Sequence, residues 1–154
     1  MPLQARMPHP VHQLPDAMKA LWALKSSLEH QGVSASTFAL VELRASQVNG
    51  CGACVDMHSR DALKAGETAE RLFAVAAWRE APYFNEAERA ALALTEALTR
   101  ISDRPESVSD DIWSEAARHY DEKALSALVL AIANINVWNR LNVAVRQPAG
   151  PWKG

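Results

Sequence analysis

The chain has 154 residues, 49% of them apolar, and its 16 Lys+Arg against 18 Asp+Glu leave a net charge of -2. That length suits one domain with a continuous core and not two, and the lack of a positive surplus excludes a chain built to condense on nucleic-acid phosphates. Ala and Leu are abundant, glycines are scarce and β-branched runs are short, so the expected fold class is all-α, a single compact bundle of about seven helices.

Residues 1–13, with Pro2, Pro8 and Pro10, read as an extended N-terminal arm that lacks the apolar stretch of a secretory signal. A domain over 14–146 and a C-terminal tail over 147–154 follow. Helical periodicity predicts a first helix from Pro15 to His30, with Met18, Leu21, Trp22, Leu24 and Leu28 as its buried stripe, and a second from Ser36 to Val48. Asn49-Gly50 breaks the pattern. A third helix runs from Cys51 to Ala65 and is closed by Gly66, suited to a left-handed cap. A fourth covers Glu67 to Arg79 and stops ahead of Pro82. Asn85 and Glu88 have the form of a capping box for a fifth, Glu86 to Ile101. A short sixth lies at Asp110–His119, and the most apolar, Glu122–Val145, comes last.

The longest uninterrupted apolar run, Leu128–Ala133, falls well short of the roughly 20 residues that span a bilayer, so no membrane is expected and the reading is a cytoplasmic protein. In that reducing compartment a structural disulfide does not persist. Two cysteines three apart therefore point to catalysis, redox sensing or metal binding.

The segment from Val48 to His58 carries the dense cluster of reactive side chains. On a helix, Cys51, Cys54 and His58 fall within about 60° of arc, because steps of three and four residues return to one face. Cysteines three apart in a first helical turn sit about 5–6 Å apart at Cα, within disulfide reach. Asn49 as N-cap would place both thiols where unpaired amides and the helix dipole favour an anion. His58, one turn below Cys54, supplies a base for an activated thiol. A thiolate attacks a peroxide O–O bond to give a sulfenic acid, which a second thiol condenses to a disulfide. The spacing does not say which thiol attacks first. Two other readings stand beside this one: inert packing of small buried thiols, and a zinc site lacking its fourth ligand.

The stretch Leu43-Arg44-Ala45-Ser46-Gln47-Val48-Asn49-Gly50-Cys51-Gly52-Ala53-Cys54-Val55-Asp56-Met57-His58 resembles the signature of alkylhydroperoxidase D-like (AhpD-like) proteins of the carboxymuconolactone decarboxylase superfamily. Trp78 to Phe84, Glu88 to Glu96 and Asn136 to Arg140 resemble its later blocks. The resemblance implies an all-α fold, homotrimers or homohexamers, and a thiol peroxidase with no bound cofactor, working through a redox-active Cys51–Cys54 disulfide fed by a dithiol donor such as dihydrolipoamide. It implies Cys54 as the peroxidatic thiol, Cys51 as the resolving thiol and His58 as the proton relay. The family's usual relay glutamate falls at Ala39, with Glu42 one turn later as its candidate replacement, and Ser46 as a candidate hydrogen-bond donor to the relay. The superfamily also contains a lactone decarboxylase, and the dithiol favours the redox branch, since fold alone does not decide. A non-enzymatic redox-sensing or zinc-binding module is the alternative class.

The remaining histidines, His9, His12, His30 and His119, read as surface residues, and Trp22, Trp78, Trp113 and Trp138 as core or subunit contacts. Asn134, Asn136, Asn139 and Asn142 interrupt the apolar last helix, where buried amides satisfy backbone groups or set register.

Overall fold

The computed structural model describes residues 3–150, which contain helices and no strands. In chain order the helices are α1 (Pro10–Gln13), α2 (Pro15–Ser27), α3 (Ala35–Val48), α4 (Gly52–Lys64), α5 (Ala69–Ala74), a 3-10 segment (Val75–Glu80), α6 (Glu86–Thr99), α7 (Asp110–His119) and α8 (Glu122–Val145). Local signals explain most boundaries. The hydroxyls of Ser34 and Ser109 and the carboxylate of Asp121 accept amides of the first turns of α3, α7 and α8. At α6 the capping box is complete: Asn85 Oδ1 accepts from Glu88 N at 2.8 Å, and Glu88 Oε2 accepts from Asn85 N at 3.0 Å.

Helix α3 is central and packs on α4, α6 and α8. Its two faces belong to two apolar clusters. One joins Val41 to Leu94, Leu128 and Ile132, and the other joins Leu40 and Leu43 to Val75, Trp78 and Leu92. Burying each such side chain contributes about 1.5–3 kcal/mol, so α3 is the scaffold against which the site's other elements are positioned. Helix α8 meets the length and composition of a membrane-crossing segment, yet Leu128, Ile132 and Asn139 lie fully inside the bundle, making it a core helix here.

Several expectations need correcting. The fourth helix is not continuous: α5 gives way to the 3-10 segment with a kink at Ala77 (φ -123°, ψ 38°), and Trp78 Nε1 there donates to Glu96 Oε1 at 3.0 Å. A tertiary hydrogen bond overrides local periodicity at that point. The stripe assigned to α2 is not buried. Trp22 is 51% exposed and only Leu28, just past the helix, enters the core, because much of that face of α2 borders a cavity.

The arm is not extended either. Arg6 N donates to Val145 O at 2.8 Å, Pro10–Gln13 form one helical turn, and His9, 3% exposed, caps that turn by accepting Val11 N at 3.3 Å. His9 is thus buried against Trp138 (ring centroids 5.9 Å apart) and is no surface residue, whereas His12 and His30 are exposed as read. Lastly, Asn49 caps the end of α3 and not the start of α4, whose N-cap is Cys51. In the tail, Gly150 N donates to Asp56 Oδ2 at 3.1 Å, so residues 147–150 fold back on α4, and the rest of the tail lies outside the described residues.

Candidate active site

The junction between α3 and α4 is a Schellman motif. Gly50 takes the left-handed conformation (φ +66°), Gly50 N donates to Gln47 O at 3.2 Å and Cys51 N donates to Ser46 O at 3.0 Å. A β-carbon at position 50 would strain that backbone. Cys51 therefore closes one helix and opens the next: it is the N-cap of α4, and its Sγ accepts from Cys54 N at 3.3 Å. Both cysteines are fixed at the end of α4 where amide groups point outward. They are joined as a disulfide with Cα atoms 5.3 Å apart, as the spacing allows, and are only 2% and 1% exposed.

Asn142 Nδ2, on α8, donates to Cys54 Sγ at 3.5 Å and to Trp138 O at 2.9 Å. Burial, and after it the neighbouring His12, holds His9 below the ordinary histidine pKa, with the polar Asn142 side chain acting in the opposite direction.

One turn along α4, His58 Nδ1 lies 2.8 Å from Glu42 Oε2, and Lys25 Nζ lies 3.1 Å from Glu42 Oε1. Helices α2, α3 and α4 thus each contribute one member of a Lys25–Glu42–His58 chain. Burial by itself would raise the Glu42 pKa, but the hydrogen bond and charge of His58, followed by those of Lys25, hold it below the ordinary carboxylate value. Glu42 is the carboxylate that meets the imidazole, while Ala39, one turn earlier, faces the cavity with a methyl group. The two sulfurs are bonded to each other, so neither is a thiolate free to ligate a metal in this state.

Ser46 does not contact the relay side chains. Its hydroxyl donates to Glu42 O at 2.7 Å and accepts from Asn139 Nδ2 at 3.0 Å, which makes it a tie between α3 and α8. Asn49 Nδ2 reaches Asn136 Oδ1 at 2.9 Å and Asn139 Oδ1 at 2.8 Å, so the amides of α8 hold the turn that presents the cysteines. Sequence reasoning missed Asn142 on Cys54 and His9 behind it. The available signal was the three-residue recurrence of Asn136, Asn139 and Asn142, which puts three amides on one face of α8.

His58, Glu42 and Asn142 also belong to the wall of a cavity of about 890 Å³ between α2, α3, α4, α8 and the arm. Neither sulfur lines it. Of its wall residues, Asn142 donates to Cys54 Sγ, and His58 follows Cys54 by one helical turn.

An all-helical bundle presenting a cysteine pair at a helix start beside a His–Glu pair defines a class of dithiol-bearing proteins, and comparison with known proteins agrees. Residues 15–97 match the model of the carboxymuconolactone decarboxylase family, and the chain belongs to that family as an AhpD-like member. It is 37% identical over 131 residues to YdfG of Bacillus subtilis (strain 168), covering 85% of this chain and 88% of that protein. It is 36% identical over 110 residues to YnjA of Escherichia coli (strain K12), covering 71% of this chain and 59% of that protein. Among solved structures, a protein of unknown function from Agrobacterium tumefaciens, proposed for antioxidant defence as an AhpD, superposes with a TM-score of 0.87 at 31% identity, over 96% of this chain and 99% of that one. The debrominase Bmp8 shares the fold with a TM-score of 0.81 at 24% identity, over 91% of this chain and 74% of that one.

Proposed function

We propose that this protein is a thiol-dependent peroxidase of the alkyl hydroperoxide reductase type. The observation that carries the reading is the Cys51–Cys54 pair at the start of α4, one turn from an imidazole whose Nδ1 is 2.8 Å from the Glu42 carboxylate. A dithiol donor of the dihydrolipoamide class reduces the disulfide by thiol–disulfide exchange and leaves as its own disulfide, with two protons and two electrons passing to Cys51 and Cys54. His58, oriented by Glu42, takes the Cys54 proton, and the thiolate attacks the distal peroxide oxygen. The O–O bond breaks, Cys54 becomes a sulfenic acid, and the leaving alkoxide takes a proton from the imidazolium as an alcohol. Cys51 then attacks the sulfenic sulfur and releases water, which restores the disulfide.

Helix α4 supports the thiolate through its outward amides, and the Asn142 amide donates to the same sulfur. Assembly into homotrimers or homohexamers in the cytoplasm is part of this reading, supported by the exposed Leu130, Val137 and Val143 on α8. Turnover of cumene hydroperoxide with a dithiol reductant tests it. Activity should vanish in Cys51→Ser and Cys54→Ser, and activity that survives both replacements refutes it.

A further inference from the structure

We infer that the cleft between α6, the 3-10 segment and the start of α7 is a binding site for a phosphate group, carried by free phosphate or by a phosphomonoester. The cleft lies apart from the cavity beside His58 and shares no wall residue with it. Three guanidinium groups, those of Arg79, Arg100 and Arg104, line it together with one carboxylate, Glu96. In a chain whose net charge is -2, that wall carries a local positive surplus, and a concave surface concentrates the resulting potential.

The carboxylate does not cancel the arginines, because its oxygens are committed elsewhere. Glu96 Oε1 accepts from Trp78 Nε1 at 3.0 Å and from Arg44 Nε at 2.8 Å, a guanidinium outside the cleft, and Oε2 pairs with Arg79 Nη1 at 2.7 Å. Arg100 follows Glu96 by four residues, the spacing of a helical ion pair, yet among the described residues neither Arg100 nor Arg104 forms an ion pair. Like charges gathered on one wall without a counter-charge raise the energy of the folded chain, and a bound dianion relieves that repulsion.

Size and donors match a phosphate. A volume of about 40 Å³ takes roughly three waters or one phosphoryl group, so the remainder of any larger molecule would stand outside. Guanidinium groups meet phosphate oxygens through parallel N–H donors, and such charge-assisted bonds are about twice as strong as neutral ones. Arg79 is held in place by stacking, with its Cζ 4.2 Å from the centroid of the Trp78 ring. The Ser107 hydroxyl, whose bond to Ile101 O is long at 3.5 Å, adds a rotatable donor. Ala97 and Ile112 supply apolar wall, which weakens solvent screening of the charges beside it.

Isothermal titration of the oxidised full chain tests this, at pH 8 where a phosphate group is doubly charged and with chloride holding the ionic strength constant. Potassium phosphate should bind saturably at one site per chain and raise the melting temperature with its concentration. Arg104→Gln should weaken that binding about tenfold, and Arg100→Gln combined with Arg104→Gln about a hundredfold, the scale of one and two lost charge-assisted bonds. Adenosine monophosphate is titrated in parallel: tighter binding than phosphate supports the site with a phosphomonoester as its ligand, and equal or weaker binding supports it with free phosphate. If the double variant fails to fold, Arg104→Gln alone carries the test, since that side chain is exposed and unpaired among the described residues. No saturable binding of either ligand, or binding unchanged in Arg104→Gln, overturns the proposal. Peroxide turnover enters neither outcome, so the peroxidase reading stands or falls separately.

Discussion

Replacing Glu42 by Gln isolates the part of the relay that charge contributes. The glutamine keeps the volume and can still accept a hydrogen bond from His58 Nδ1, so the substitution removes the negative charge and little else. The side chains of His58 and Glu42 are only 11% and 14% exposed, so solvent screens the pair weakly. Hydrogen bonds to charged groups contribute about 1.5–3 kcal/mol net against about 0.5–1.5 kcal/mol for neutral ones, a difference close to 1.4 kcal/mol. That corresponds to about a tenfold loss in the rate at which peroxide oxidises the reduced protein. Lys25 is 43% exposed and adds little by itself, so Lys25→Met should cost about threefold or less. His58→Asn removes the base and should cost about a hundredfold or more. Stopped-flow oxidation by cumene hydroperoxide at neutral pH, with the melting temperature as a folding control, reads all three. A folded Glu42→Gln protein within twofold of the wild type, beside a crippled His58→Asn, would refute the relay argument.

Asn142→Ala removes the amide that reaches Cys54 Sγ at 3.5 Å, and alkylation of the reduced protein by iodoacetamide at neutral pH should slow by about fivefold, the scale of one lost hydrogen bond to a thiolate. Leu128→Ala, at a fully buried position between α3 and α8, should destabilise by about 2–5 kcal/mol and lower the melting temperature by roughly 5–15 °C in calorimetry. Glu96 accepts from Trp78 Nε1 at 3.0 Å and Arg44 Nε at 2.8 Å and pairs with Arg79 Nη1 at 2.7 Å; although burial would raise its pKa, these partners hold it below the ordinary carboxylate value. A depressed carboxylate pKa stabilises fully above the unfolded value and loses that contribution as pH falls through the folded one. Glu96→Gln should therefore cost about 2–4 kcal/mol at neutral pH, and the gap in melting temperature from wild type should narrow as pH drops below about 4.5.

Residues whose structure depends on neighbours in sequence were legible, and those set by distant contacts were not. Capping at Asn85, the left-handed Gly66 and the reach between Cys51 and Cys54 follow from steps of one to four residues, and they stand as read. The Glu42–His58 contact needed one more inference, the packing of α3 on α4, and entered as a candidate because 42 falls one turn past the expected position. Trp22 misled because helical periodicity identifies an apolar face without saying what covers it. The kink at Ala77 arises from Trp78 reaching Glu96, 18 residues on, and the burial of His9 from α8 at the far end of the chain. Asn142 lies 88 residues from Cys54, a separation at which no local pattern carries information.

The amides of α8 explain why so apolar a helix carries polar groups under its most reactive neighbour. A helix packed by Leu and Ile alone has several near-equivalent registers, each separated by about 5.4 Å along the axis. Asn139 Nδ2 bonds Ser46, and the Oδ1 atoms of Asn136 and Asn139 share the Asn49 amide, which ties α8 to the α3–α4 turn at one register. A slip by one turn would leave these groups buried without partners, a cost of about 1–3 kcal/mol for each, while the apolar contacts would change far less. The same register places Asn142 against Cys54 and beside the cavity. The row of asparagines therefore aligns the helix that supplies the donor to the sulfur, and a polar core that looks unfavourable by burial alone is what positions that amide on Cys54.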